Sequence, residues 1–166
     1  MRATKHDGYD DDAISRFMPG LKVNLAPIAA GLVLVAEDER GVPLGYVALR
    51  PTGMGGLILL EGFFVDPACS RGGVGRRLFA AAVEHSRKMA GNVILVYSSP
   101  NSAGFYARLG AIRIGTTPFV FSPEVLLPMF AFSIPPSGEN GASGDDWLAA
   151  GIGWSKWRRA CRASRA

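Results

Sequence analysis

Cysteine, long apolar runs and charge are all scarce in this 166-residue chain. Two cysteines, Cys69 and Cys161, are too few for the disulfide framework of a small secreted domain. Read as two free thiols, they predict a reducing compartment, and the chain is expected to be cytoplasmic. The longest apolar run, Leu25 to Ala36, has twelve residues and contains Pro27 and Gly31. A bilayer span needs about 20, so no transmembrane helix is expected. Asp10, Asp11 and Asp12 stand where a secretory signal would carry basic residues, and no such signal is predicted. Charged residues make up 19% against 48% hydrophobic, which excludes both a polyelectrolyte and disorder over most of the chain. With two histidines and no Cys/His/Asp spacing of ligand type, no metal site is expected.

The net charge of +4 is spread over two unlike regions. Residues 1–135 are nearly balanced, whereas from Trp147 onward there are basic residues and no acidic ones. A basic groove across the folded part is therefore not indicated, and the core is not expected to bind nucleic acid. Pro135-Pro136 opens the polar stretch SGENGASGDD. The chain divides into a domain over 1–135, a flexible linker over 136–146 and a Trp/Arg-rich tail over 147–166. The tail's three tryptophans and five basic residues are the composition of a segment that contacts an anionic surface; the alternative is a loosely docked terminus.

Hydrophobic periodicity outlines the domain. Ile14, Phe17, Met18 and Leu21 form a weak helical pattern broken at Pro19-Gly20, and a short helix is predicted over Val23 to Ala30. Strands are predicted at Leu32–Glu37 and Pro43–Arg50, a hairpin joined by Asp38-Glu39-Arg40-Gly41. Leu57–Val65 (LILLEGFFV) reads as a third strand buried on both faces. A helix follows from Gly75 to about Ala90. Leu78, Phe79, Ala82, Val83 and Met89 face inward, Glu84 and Lys88 pair outside, and Gly91-Asn92 is the stop. Val93–Tyr97 is a central strand. Asn101 is expected to cap a short helix through Leu109, with Phe105 and Leu109 toward the core and Tyr106 turned elsewhere. Ala111–Gly115 and Leu127–Ile134 read as closing strands around a loop from Thr116 to Pro123. The order describes a mixed α/β sheet, three meandering strands followed by a strand–helix–strand crossover.

Glycine is abundant, 21 residues against the roughly 7% of average usage. Gly72, Gly73 and Gly75 lie between a buried strand and a helix start. Backbone N–H groups there are open to a ligand, and the helix N-terminus adds unpaired donors and the positive end of its dipole. Arg71, Arg76 and Arg77 flank this anion site. No Gly-Lys-Ser/Thr follows, and the G-x-G-x-x-G spacing is absent, so neither a Walker loop nor a dinucleotide fingerprint is present. Alone, the segment reads equally well as a glycine turn that starts a helix.

Two segments in order, VDPACSRGGVGRRL (Val65 to Leu78) and NSAGFYARLGA (Asn101 to Ala111), together resemble the GNAT superfamily of acyl-coenzyme A-dependent N-acetyltransferases. The resemblance runs from about Leu32 to Ile134. Ser70 stands where the family loop has Gln or Arg, with Arg71 one residue later. The stretch before Leu32 is shorter than the family's first strand and two helices.

The resemblance implies a mixed, mostly antiparallel sheet flanked by helices and splayed between the third and fourth strands. It implies acetyl-CoA as cosubstrate and a primary amine as acceptor. Arg71, Gly72, Gly73, Val74, Gly75 and Arg76 would hold the pyrophosphate. Phe63, Phe64 and Val65 would line the pantetheine arm, with Asn101 on its other side. Tyr106 would be the general acid for the leaving thiolate, since a phenol near pKa ~10 matches an alkyl thiolate. Glu61, the one charge in its strand, is the candidate base; the competing reading is a Glu paired with an Arg at the sheet end. His85 reads as a partly buried helix residue. Homodimerisation is common in the family. The alternative to an enzyme is a non-catalytic acyl-CoA-binding or regulatory module.

Overall fold

A computed structural model of the chain describes residues 25–136 apart from Arg71 and Phe121. The acidic N-terminal segment, nearly all of the linker, and the Trp/Arg-rich tail lie outside the described residues.

The first described element is a single helical turn, α1 (Ala26–Ala29), which occupies half of the span expected for it. Gly31, at φ +69°, turns the chain from it into β1 (Val33–Glu37). The β1–β2 turn follows from Asp38, whose carboxylate accepts from the N–H groups of Arg40 and Val42 at 2.8 and 2.9 Å. Gly41 supplies the positive φ of +73°. β2 (Pro43–Pro51) then pairs antiparallel with both β1 and β3 (Leu57–Val65).

The β2–β3 register contains one irregularity with consequences for the site. Leu49 lies opposite Leu60, but Ala48 lies opposite Gly62. Glu61 is therefore an extra residue, a β-bulge, which bends its strand and disturbs the ladder locally. The parallel ladder between β3 and β4 (Val93–Tyr97) runs from Leu57–Val93 to Leu60–Val96 and stops one residue before the bulge, although β3 continues to Val65.

Between β3 and β4 the chain crosses over through α2 (Val74–Lys88). Leu78, Phe79, Ala82 and Val83 are at most 4% exposed and pack on Val47, Leu49, Ile58, Leu60, Ile94 and Val96 of the sheet. Each of the leucine, phenylalanine and valine side chains contributes about 1.5–3 kcal/mol on burial. Outside, Glu84 pairs with Arg87 rather than with Lys88, because Arg87 Nε is also held by the carbonyl of Pro135. The helix ends in a left-handed residue, Ala90 at φ +57°, and the Gly91 N–H donates to Ser86 O at 2.8 Å. A Cβ on Gly91 would lie 2.7 Å from both Ser86 O and Ile58, so glycine is required there.

The sheet order is β1-β2-β3-β4-β6-β5. After α3 (Ala103–Arg108), β5 (Ile112–Phe119) and β6 (Ser122–Ser133) form a long hairpin. The stretch expected as a loop is paired: Thr116 faces Pro128 and Pro118 faces Leu126. Prolines at 118, 123 and 128 argue against strand, but Pro118 is on the edge strand β5, and Pro123 and Pro128 lie on the part of β6 that extends past its ladder with β4, so a missing N–H costs little there. β5 is also largely exposed, so it lacks the apolar alternation of a half-buried strand. β3 is not buried on both faces as its composition predicts. Ile58 and Leu60 are buried, Glu61 is exposed, and Gly62 to Val65 are half-buried. Among the described residues no helix is long and apolar enough to cross a membrane, and no group of His, Cys, Asp and Glu could hold a metal.

Candidate active site

A cavity of about 670 Å³ opens where β3 and β4 stop pairing. Its walls come from three places: the end of β3, the loop leading into α2, and the turn and helix after β4. Phe63, Phe64, Val65, Gly73, Gly75, Arg76, Asn101 and Tyr106 all line it, as the sequence reading expects. Arg71 lies outside the described residues. Gly72 and Val74 do not line the cavity: Val74 is 1% exposed, its side chain in the core, and a Cβ on Gly72 would sit 3.1 Å from Cys69 O.

The local chemistry of the α2 start suits an anion. Gly73 is its N-cap in the left-handed conformation, at φ +80°, and no side chain caps the helix. The first turn carries no acidic residue but has Arg76 and Arg77. Cations at a helix N-terminus oppose the macrodipole, so the helix by itself gains nothing from them. A phosphate group there would satisfy the first-turn N–H groups and the Arg76 guanidinium together. Nothing lies within 4 Å of where a Gly73 Cβ would be, so this side of the cradle is open. Gly75 packs more closely, its Cβ position 3.4 Å from the Phe105 ring, and ties the helix start to α3.

Tyr106 is placed differently from expectation. It is 4% exposed and belongs to the core, whereas Phe105 and Leu109 are only partly buried. Its ring has neighbours at centroid distances of 6.1 Å (Phe63), 6.2 Å (Phe79), 5.1 Å (Phe105) and 6.0 Å (Phe130). The helix has six residues and follows a 3₁₀ turn at Pro100–Ser102. Fewer than two turns cannot fix which face points inward from spacing alone. Asn101 lies in that 3₁₀ turn and is not a cap; the N-cap of α3 is Ser102. Cys69, Ser70, Ser102, Phe105 and Arg108 also line the cavity, and sequence reasoning missed them as site residues. Arg108 was legible as the cation two residues after Tyr106.

Glu61 occupies the bulge, and the Nε of Arg50 donates to its carboxylate across the β2–β3 pair. The sheet-end ion pair weighed from the sequence thus forms. This pair sits on the sheet face opposite α2, with Tyr46 and Phe64, whose rings are 5.3 Å apart. Tyr46 lies over Gly62, and burial raises its phenol pKa above the usual value. His85 is half-buried on α2, as expected, and is not among the residues lining the cavity.

Residues 29–110 match the family model described as an acetyltransferase (GNAT) domain. Among solved structures, an aminoglycoside 6'-N-acetyltransferase complexed with coenzyme A aligns with TM-score 0.59 and 14% identity, over 77% of this chain and 90% of that one. A GNAT superfamily phosphinothricin acetyltransferase from Sinorhizobium meliloti in complex with AcCoA gives 0.57 and 17%, over 72% and 74%. A putative GNAT-family acetyltransferase from Desulfovibrio desulfuricans gives 0.53 and 21%, over 62% and 68%. No match is found among curated protein sequences.

Proposed function

Since the chain belongs to the GNAT superfamily, we propose that it is an N-acetyltransferase moving an acetyl group from acetyl-CoA to a primary amine by direct attack. The observation that carries this reading is the start of α2, opened by glycine and without a side-chain cap, which faces a cavity shared with the end of β3 that is unpaired on its β4 side and with Tyr106. The residues present fit the coenzyme: a donor-rich, cation-flanked cradle at one end and a free strand edge at the other.

Gly73, Gly75 and Arg76 bind the diphosphate, with Arg71 contributing from the same loop. The edge of β3 from Phe63 to Val65 orients the pantetheine amides as a neighbouring strand would, and Asn101 closes the other side. Bound there, acetyl-CoA supplies an acyl carbon activated as a thioester. A main-chain group of Phe64 or Val65 donates to the carbonyl oxygen as charge gathers on it. Glu61 takes the proton that the amine must lose. The nitrogen–carbon bond forms, the carbon–sulfur bond breaks, and the Tyr106 hydroxyl returns a proton to sulfur.

Calorimetry with coenzyme A, combined with thiol release from acetyl-CoA over a panel of amines, tests the proposal. Binding and amine-dependent release are expected. Absence of binding overturns the reading, and binding without release for any amine indicates a non-catalytic module.

A further inference from the structure

The sheet face opposite α2 carries an arrangement that transfer chemistry alone does not require. Glu61 is the extra residue of the bulge, and bulges re-aim a side chain that strand pairing would otherwise fix. The β3–β4 ladder ends one residue earlier, and the carboxylate itself is turned to Arg50 on β2, outside the lining of the cavity. Gly62, next along, has no side chain, and the Tyr46 ring fills that space, its ring edge 3.1 Å and its hydroxyl 3.6 Å from the Gly62 Cβ position. Phe64 stacks on Tyr46 from the far side at 5.3 Å. Arg50 meets the carboxylate from β2, using Nε, with side-chain exposures of 51% for Arg50 and 37% for Glu61.

One carboxylate, one guanidinium and an aromatic wall therefore share a single patch. An exposed pair of this kind contributes about 0–1 kcal/mol to stability, so a ligand can replace its mutual contact at little cost to the fold. The charges of the patch compensate each other. A polycation would compete with Arg50 for Glu61 and be repelled by the guanidinium. A simple monoamine would leave Arg50 without its partner. A ligand carrying both an ammonium and a carboxylate satisfies both: Glu61 receives the ammonium, and the terminal nitrogens of Arg50 form a fork for the carboxylate.

From this juxtaposition we propose that the acceptor is a zwitterionic α-amino acid with an apolar or aromatic side chain, held by Glu61, Arg50 and the Tyr46–Phe64 wall. The inference rests on the acetyltransferase reading and names its substrate class. In the transfer, the ammonium first gives one proton to Glu61, the neutral α-nitrogen replaces sulfur on the acyl carbon, Tyr106 gives its proton to sulfur, and the second proton lost by nitrogen restores the Tyr106 hydroxyl.

The test compares thiol release from acetyl-CoA with L-phenylalanine, L-phenylalaninamide and phenethylamine as probes. The amide and the amine keep the ring and lack the carboxylate. L-Phenylalanine is expected to exceed both in kcat/KM by at least about tenfold, the usual weight of a charge-assisted contact. In R50Q that ratio should fall to near one, and R50K should restore part of it, with unfolding midpoints checking that both variants fold. A wild-type ratio near one, a ratio unchanged in R50Q, or coenzyme binding with no turnover of any of the three overturns the amino-acid assignment. Failure of coenzyme A to bind calorimetrically is a different result and overturns the acetyltransferase reading beneath it, and the assignment with it.

Discussion

The rings of Phe63 and Tyr106 meet edge-on, with centroids 6.1 Å apart. This contact joins the end of β3, which is unpaired on its β4 side, to α3 and fixes the position of the proposed acid relative to the strand proposed to receive the coenzyme arm. Mutation can separate the Tyr106 ring, which belongs to the core, from the hydroxyl to which the proposed acid role is given.

Tyr106→Phe keeps the ring and removes the hydroxyl. Turnover should fall by about 10²-fold, the low end for loss of a positioned acid. Coenzyme affinity and the unfolding midpoint should change little. Tyr106→Ala removes the ring contacts as well and should destabilise the fold by about 3–5 kcal/mol in denaturant titration. Unaltered turnover in Tyr106→Phe would discard the acid role.

Gly73 separates backbone strain from ligand binding. At φ +80° any L-residue is strained, by about 1–2 kcal/mol. Its Cβ direction is open, so Gly73→Ala should fold with a lowered midpoint and bind coenzyme weakly. Gly73→Glu adds a carboxylate to the anion cradle and should abolish the calorimetric signal. Retained binding in Gly73→Glu would move the diphosphate elsewhere.

Gly45 tests the close approach of β2 to β3. A Cβ there would stand 2.5 Å from Phe64 O and 3.1 Å from Leu78. Backbone cannot yield as a flexible side chain does, so Gly45→Ala should cost about 1–3 kcal/mol and displace the strand end lining the cavity. Both the unfolding midpoint and coenzyme affinity should drop together.

Tyr46 links stability to alkaline pH. Burial raises its phenol pKa above the ordinary phenol value, so the folded chain holds its proton at pH values where the unfolded chain has released it. The folded state then binds more protons, and stability falls as pH rises through that range, up to the folded-state pKa. Tyr46→Phe should flatten this alkaline loss, measured as urea midpoints between about pH 9 and 11. Equal slopes in both proteins would rule out Tyr46 as its source.

Glu61→Gln removes the proposed proton acceptor while keeping the shape of the bulge. Amine acetylation should slow by about 10²–10⁴-fold, with coenzyme binding intact. Full activity in Glu61→Gln would leave Glu61 only its ion pair with Arg50.

Local chemistry determined much of this protein on its own. LILLEGFFV and VILVY are apolar runs of strand length, and their bounds in the fold match those read from sequence. Asp38 and Gly41 write the hairpin turn, and closely spaced glycines before an amphipathic stretch mark the start of α2, where Gly73 is the N-cap. Such features depend on neighbours within a few residues, so composition and spacing suffice to find them. The two closing strands were legible at Ala111–Gly115 and Leu127–Ile134, but their continuation through Thr116 to Pro123 was not, because an exposed edge strand interrupted by Pro118 carries no periodic signal and is held by its partner. Nor was the inward face of α3, since six residues do not establish a helical phase and the surrounding rings of Phe63, Phe79 and Phe130 decide it. The Arg50–Glu61 pair joins residues on different strands. Their meeting depends on a bulge that shifts the register by one residue, and register belongs to the pairing of strands rather than to either strand alone.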